Sequence, residues 1–98
     1  MNAAIILPTY NERESIGVIL QKLHEVIKQI PGYRFSFLVV DDTSPDGTAS
    51  VVRQLQKTYT DITLLTGKKE GLGKALLRGL TYAIDKLKAD ILIQMDAD

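Results

Sequence analysis

The sequence predicts an α/β fold, in which a parallel sheet of about four strands, in the order 3-2-1-4, has helices on both faces. Two observations predict it. Strand-like and helix-like stretches alternate along the chain in the order βαβαβαβ, and each strand is a nearly continuous apolar run. Such runs need burial on both faces of a sheet, which crossover helices provide in parallel sheets.

The predicted elements follow in chain order. The first strand covers residues 3–8, and the helix after it repeats isoleucine and leucine at helical spacing until Pro31 and Gly32 end it. His24 lies beside the apolar stripe of that helix and is expected on the helix surface. The remaining elements are strands at residues 35–40, 61–66 and 90–95 and helices at residues 48–59 and 72–87.

The composition bounds the class of protein. With 98 residues, 45% of them hydrophobic and 24% charged, the chain can form one small core and is too apolar to be disordered. Its 12 basic and 12 acidic side chains cancel, so no nucleic-acid partner is expected. The absence of cysteine leaves oxygen ligands for any metal and fits a reducing compartment. No apolar run approaches the roughly 20 residues that a membrane helix needs.

A polar motif follows every predicted strand. Because the carboxyl ends of parallel strands share one edge of the sheet, and ligands bind where the strand order reverses, four loops are expected to converge on one rim. The motifs are PTYNE at residues 8–12, DDTSPDGT at residues 41–48, GKKEGLGK at residues 67–74 and DAD at residues 96–98.

The first two motifs also have a purely structural interpretation. Asn11 is placed to cap the first helix, and Asp46 or Thr48 to cap the second. The adjacent carboxylates of Asp41 and Asp42 resist this interpretation, because they repel each other and a cap needs only one of them. At least one of the two is therefore interpreted as functional.

The glycine-rich loop does not match the common nucleotide-binding patterns. A P-loop fails because Lys68 and Ala75 stand at two of its required positions, and a dinucleotide fingerprint fails at Leu76. Gly71 and Gly73 still allow close backbone approach at a helix N-terminus, which suits a phosphate, although a solvated lysine run beside a turn remains the alternative. The cations nearby are Lys68, Lys69, Lys74 and Arg78.

The last motif places two carboxylates one residue apart. If the chain stays extended, Asp96 and Asp98 point to the same side, with Cα atoms roughly 6.5 Å apart. Two oxygen ligands and few others favour Mg²⁺ or Mn²⁺, which complete their shells with water and substrate phosphates. A capped turn is the alternative.

Together, PTYNE, VVDDTSPDGT, GLGKALLRGL and DAD resemble the N-terminal, nucleotide-binding half of a family 2 glycosyltransferase with the GT-A fold. DDTSPDGT and GLG before a helix most resemble the dolichol-phosphate mannosyltransferase branch, whose members are polyprenyl-phosphate sugar synthases. The resemblance covers essentially the whole chain. It implies that residues 1–98 are a Rossmann-like, nucleotide-sugar-binding part of a longer enzyme, ending after its metal motif.

The resemblance also implies roles for single residues. Pro8, Tyr10 and Glu12 would line the nucleoside pocket, and Asp42 would contact the base. Asp96 and Asp98 would be the metal-binding DxD pair, with Asp98 as the direct ligand of the Mg²⁺ or Mn²⁺ ion and Asp96 shared between the ion and the ribose. The residues implied on the donor side of the glycine-rich loop are Lys69, Gly73 and Lys74. No catalytic residue is assigned.

The implied reaction is an inverting transfer of a sugar, in the first place mannose, from GDP-mannose or a UDP-sugar to a polyprenyl phosphate at the cytoplasmic face of a membrane. The acceptor side would lie beyond the DAD motif, so this chain alone is expected to be inactive. Two alternatives stay open: a nucleotide-binding module without turnover, and transfer of another sugar to another acceptor. A receiver-like domain fits less well, because its acidic pair would follow the first strand. The last strand, as an open edge, is expected to promote self-association.

Overall fold

The structure is a computed structural model that describes residues 1–97, and it contains four strands and three helices in alternation. In chain order they are β1 (Asn2–Thr9), α1 (Arg13–Ile27), β2 (Arg34–Asp41), α2 (Thr48–Gln56), β3 (Ile62–Thr66), α3 (Leu72–Asp85) and β4 (Ile91–Gln94). The strands form one sheet in the order β3-β2-β1-β4, and every neighbouring pair is parallel. The predicted fold class, strand order and pairing are confirmed.

The two faces of the sheet are covered by different helices. Helices α1 and α2 pack on the face that carries Ile5 and Leu7, whereas α3 packs on the face that carries Ala4 and Ile6. Alternate residues of β1 therefore enter two separate apolar clusters. This explains why the central strands β1 and β2 are continuous apolar runs in the sequence.

Helix α3 lies unusually close to the sheet at Gly79. A Cβ atom at this position would be 2.9 Å from Ile6 Cγ2 and 3.1 Å from Val40 Cγ2, both in the sheet. Real Cβ contacts are longer, so the missing side chain of Gly79 sets the distance between α3 and the two central strands.

Asn11 does not cap α1, whereas Asp46, one of the two predicted caps of α2, bonds to the first residue of that helix. Asn11 has a positive φ of 58° and lies before the N-cap residue of α1, which makes no side-chain capping bond. Instead, the carboxylate of Asp46 accepts hydrogen bonds from the backbone N–H of Arg13 at 3.1 Å and of Thr48 at 3.0 Å. One side chain thus joins the first turns of α1 and α2, and its hydrogen bond from the Thr48 hydroxyl is the main cause that lowers the pKa of Asp46.

The prediction that His24 lies on the helix surface is wrong. The residue is 7% exposed, because the segment between α2 and β3 covers it. Its ring stacks on Tyr59, with centroids 3.8 Å apart. The ring nitrogens lie 2.7 Å from the carbonyl oxygen of Leu20 and 2.7 Å from Asp61 Oδ1. Both ring nitrogens are therefore within hydrogen-bonding distance of an oxygen atom.

Strand β4 forms an edge of the sheet and is its most exposed strand. Leu92 and Ile93 are each 38% exposed. Self-association through this edge stays a prediction, which sedimentation at high protein concentration tests. Among residues 1–97, no helix has the length and apolar character that crossing a bilayer would need.

Candidate functional site

A cavity of about 330 Å³ lies at the carboxyl ends of β1, β2 and β4, where the sequence places its polar motifs. The loops after all four strands and the first turn of α3 line it. This cavity is called the rim pocket below. Its lining residues are Pro8, Thr9, Tyr10, Glu12, Asp42, Lys69, Gly71, Leu72, Ala75, Asp96 and Ala97.

The structure brings most of the sequence-predicted site residues together here. Lys74 instead lines a different, largely apolar groove of about 570 Å³ between α3 and β3, and its Nζ atom lies 3.1 Å from Glu70 Oε2. Gly73, in the first turn of α3, is not among the lining residues of the rim pocket in the described part of the chain. Asp98 lies outside the described residues. The predicted residues that do line the pocket are Pro8, Tyr10, Glu12, Asp42, Lys69 and Asp96.

The adjacent carboxylates at the end of β2 have separate partners. Asp41 is fully buried and accepts hydrogen bonds from the hydroxyl of Thr9 at 2.8 Å and from the backbone N–H of Ser44 at 2.9 Å. Asp41 therefore ties the end of β1 to the loop after β2. The side chain of Asp42 is also largely buried, but it faces the rim pocket and pairs with Arg78, whose Nη2 lies 2.6 Å from Asp42 Oδ1.

Arg78 has a more specific place than the sequence suggested. It was expected only as one of several cations near the glycine-rich loop. In the structure it projects from the middle of α3 past Gly67 to reach Asp42, and its buried Nε has no hydrogen-bond partner among residues 1–97. Its position one helical turn after Lys74 was visible in the sequence, but its partner was not.

A cation over an aromatic ring joins the loops after β1 and β3. The Nζ atom of Lys69 lies 3.9 Å from the centre of the Tyr10 ring, and both residues line the rim pocket. This geometry is typical of a cation–π interaction. It holds the positive charge of Lys69 in a pocket that, among residues 1–97, three carboxylates also line.

The segment after β4 is anchored by its small middle residue. Ala97 is 3% exposed and joins the cluster under α1, and its carbonyl oxygen accepts a hydrogen bond from the Ser15 hydroxyl at 2.5 Å. Before it, the backbone N–H of Met95 donates to the carbonyl of Ile6 at 3.0 Å. Asp96 between them is exposed and lines the rim pocket. Burial of the alanine therefore directs the carboxylate outward.

Comparison with known proteins identifies the family. Residues 4–98 match the model of the Glycosyl transferase family 2. The chain belongs to this family. It is 33% identical over 98 residues to a dolichol-phosphate mannosyltransferase of Pyrococcus furiosus. It is 36% identical over 96 residues to a polyprenol monophosphomannose synthase of Mycolicibacterium smegmatis.

Solved structures that resemble this glycosyltransferase chain have the expected GT-A fold. A mannosyltransferase of Pyrobaculum calidifontis, solved in complex with GDP-Man and Mn²⁺, matches 98% of the chain with a TM-score of 0.82 and 32% identity. A mannosyl-3-phosphoglycerate synthase of Rubrobacter xylanophilus matches all of it with a TM-score of 0.78 and 25% identity. The chain spans 26% and 34% of the two curated relatives and 27% and 31% of these structures.

The donor atoms of the rim pocket suit a hard divalent cation. They are carboxylate oxygens from Glu12, Asp42 and Asp96, although Asp42 is already paired with Arg78. Residues 1–97 contain no group of three acidic, histidine or cysteine side chains placed to hold a metal ion. Mg²⁺ commonly binds through one or two carboxylates, with water and substrate phosphates as its other ligands, so the residues present fit such an ion.

Proposed function

We propose that this chain is the nucleotide-sugar-binding part of a glycosyltransferase that transfers mannose from GDP-mannose to a polyprenyl phosphate, with inversion. The observation that carries the proposal is the rim pocket, which gathers residues of four separate motifs at the strand ends. The names of the two curated relatives, both of which are mannosyl synthases or transferases for polyprenol lipids, support the choice of mannose and of the acceptor.

The proposed donor site uses the two sides of the pocket for different parts of the nucleotide. On one side, the largely buried carboxylate of Asp42 accepts a hydrogen bond from the base, while Tyr10 and Pro8 provide the apolar wall beside it. On the other side, Lys69 and the first turn of α3, beginning at Leu72, face the diphosphate. Positive side chains and free backbone N–H groups at a helix N-terminus both favour anions.

Asp96 is the described residue proposed to hold Mg²⁺ or Mn²⁺, and Asp98, outside the described residues, is proposed as its partner. Such an ion supplies electrostatic stabilisation to the nucleoside diphosphate as the sugar leaves. The protein contributes the placement of Asp96, through the buried Ala97 and its hydrogen bond to Ser15.

The acceptor phosphate does not require a strong general base from this chain. A lipid phosphate is already ionised near neutral pH, so its attack on the anomeric carbon requires no strong general base. What it requires is alignment, which accounts for roughly 7 to 11 kcal/mol of the barrier in well-oriented systems. We assign no residue to that role and propose that the chain binds the donor without turnover. We propose that the complete enzyme acts at the cytoplasmic face of a membrane, and its proposed lipid acceptor supports a membrane location.

Calorimetric titration tests the donor site. We expect GDP-mannose to bind the chain more tightly with Mn²⁺ than without, and more tightly than UDP-glucose does under the same conditions. A preference for UDP-glucose would replace GDP-mannose as the donor, and binding of neither would contradict the proposed function.

Turnover is tested with a form of the protein extended toward the length of its relatives. We expect that form, with GDP-mannose, Mn²⁺ and a polyprenyl phosphate, to produce a glycolipid that the 98-residue chain does not produce. Equal rates from both forms would show that the acceptor half is dispensable. Donor binding without product from either form would favour the nucleotide-binding module.

A further inference from the structure

The guanidinium of Arg78 occupies the space where a side chain at position 67 would begin. A Cβ atom at Gly67 would lie 2.4 Å from Nη1, 2.7 Å from Cζ and 3.1 Å from Nη2 of Arg78. The φ angle of Gly67 is outside the left-handed region, so its backbone conformation is one that other residues adopt. Space, and not conformational freedom, is what the glycine provides here.

The backbone at Gly67 is held from both sides. Its N–H donates to the carbonyl of Asp41 at 3.1 Å, and its own carbonyl accepts a hydrogen bond from the hydroxyl of Thr43. If a side chain were added at this position, the backbone would stay in place and the long side chain of Arg78 would move. The end of that side chain is what contacts Asp42, 2.6 Å away.

We propose that Gly67 is a positioning residue of the rim pocket: its missing side chain is what lets Arg78 pair with Asp42 and neutralise that carboxylate. The inference rests on the proposed function, because it concerns the same pocket and its nucleotide. Three carboxylates line the pocket, and a diphosphate brings more negative charge. Without Arg78 in place, Asp42 adds an uncompensated charge beside that ligand and loses the contact that orients its oxygens.

The same substitution has little effect on folding. The atoms displaced by Gly67→Ala are the end of a flexible side chain that is 31% exposed, and they can move into solvent. Replacing glycine by alanine where the backbone allows it also restricts the unfolded chain, which favours the folded state. Gly67→Ala should therefore separate binding from stability, as a purely structural glycine would not.

A double-mutant cycle tests the proposal, with GDP and Mn²⁺ as the probe and calorimetry as the readout. The variants are Gly67→Ala, Arg78→Ala and the double substitution. We expect each single substitution to weaken binding by roughly tenfold to a hundredfold, which is the range for a lost hydrogen bond to a charged group. The double variant should bind no more weakly than Arg78→Ala alone, because Gly67 acts only through Arg78.

Gly17→Ala is the matched control. It lies in α1, and its added Cβ would be 3.8 Å from Val51 and 3.9 Å from Leu55, which are ordinary contacts. We expect its GDP affinity to equal that of the parent. The proposal would be overturned if Gly67→Ala bound GDP as tightly as the parent does. It would also be overturned if Gly67→Ala weakened GDP binding as much in the Arg78→Ala background as in the parent.

A measurement without ligand separates this inference from the proposed function. In the parent, the buried Nε of Arg78 is shielded from water, so its N–H proton should exchange slowly in NMR spectra. We expect this proton to exchange roughly tenfold faster, or more, in Gly67→Ala than in the parent, and at the rate of the parent in Gly17→Ala. Unchanged exchange in Gly67→Ala would overturn the positioning role even if GDP binds. Faster exchange in Gly67→Ala, together with a parent that binds neither GDP nor UDP, would support the positioning role and contradict the proposed function.

Discussion

Two side-chain pairs of nearly equal length lie at opposite ends of the sheet and differ in what surrounds them. His24 and Asp61 are 2.7 Å apart beside the start of β3, whereas Asp42 and Arg78 are 2.6 Å apart at the end of β2. Both ring nitrogens of His24 have oxygen partners, and the ring packs against Tyr59 and Phe37. Arg78 keeps a buried Nε that has no partner in the described part of the chain.

The difference separates a structural pair from the pair that we propose to act in nucleotide binding. A buried polar group is normally satisfied by the protein, and a group that is not satisfied calls for an explanation. The first pair is complete within the fold and locks α1 to the segment before β3. The second borders a pocket and has hydrogen-bonding capacity left over. Asp41 and Asp42 differ in the same way, although they are neighbours in the sequence.

The largest effect is expected from breaking the structural pair. His24→Ala should lower the free energy of unfolding by about 3 kcal/mol, because it opens a cavity between two aromatic rings and leaves Asp61 without its partner. Urea denaturation measures the loss. Val26→Ala, at an exposed position of the same helix, is the control and should change little. A loss as small as that of the control would make the pair dispensable for folding.

Breaking the Asp42–Arg78 pair should change binding instead. Asp42→Asn keeps an oxygen for Arg78 but removes the charge, and we expect it to weaken GDP binding by about 1.5 to 3 kcal/mol while the unfolding transition stays close to that of the parent. Asp85→Asn, at an exposed position of α3, is the charge-matched control. Unchanged affinity in folded Asp42→Asn would remove this carboxylate from the site.

Gly79, the residue that follows Arg78 in α3, provides a second glycine variant for the comparison. Gly79→Ala would press a Cβ against Ile6 and Val40 in the sheet, which cannot move into solvent as the end of Arg78 can. We expect a loss of about 1 to 3 kcal/mol of unfolding free energy, the usual range for an overpacked core. Thermal unfolding beside Gly67→Ala measures the contrast, and equal stability of the two variants would contradict it.

The smallest effect concerns Asp46, which joins the first turns of α1 and α2. Hydrogen bonds from Thr48 and Arg13 hold its pKa below the ordinary value of 3.8. Its ionised form therefore stabilises the fold above pH 3.8, and this stabilisation is lost as the pH falls through the lowered pKa. Asp46→Asn should reduce the acid sensitivity of unfolding as the pH falls below 3.8, measured by circular dichroism. An unchanged acid transition would show that the bond network is not formed in solution.

The sequence predicted those features that depend on periodicity. Strand and helix order, parallel pairing and the convergence of four loops follow from apolar runs and the turn residues between them. The burial of His24 was missed because it depends on the segment between α2 and β3, far along the chain. The partner of Arg78 was missed for the same reason. The motif assigned Lys74 to the donor side. In the structure, Lys74 pairs with Glu70, four residues earlier, and both line the other groove.

The central claim is that the rim pocket, and not the larger groove beside α3, holds the nucleotide. Paramagnetic broadening by GDP and Mn²⁺ in NMR spectra of the chain tests it most directly, since the effect falls off steeply with distance from the ion. We expect broadened amide signals from Tyr10, Asp42 and Asp96 and unaffected signals from His24. Broadening centred on Leu77, in the larger groove, or spread evenly over the chain, would contradict the claim.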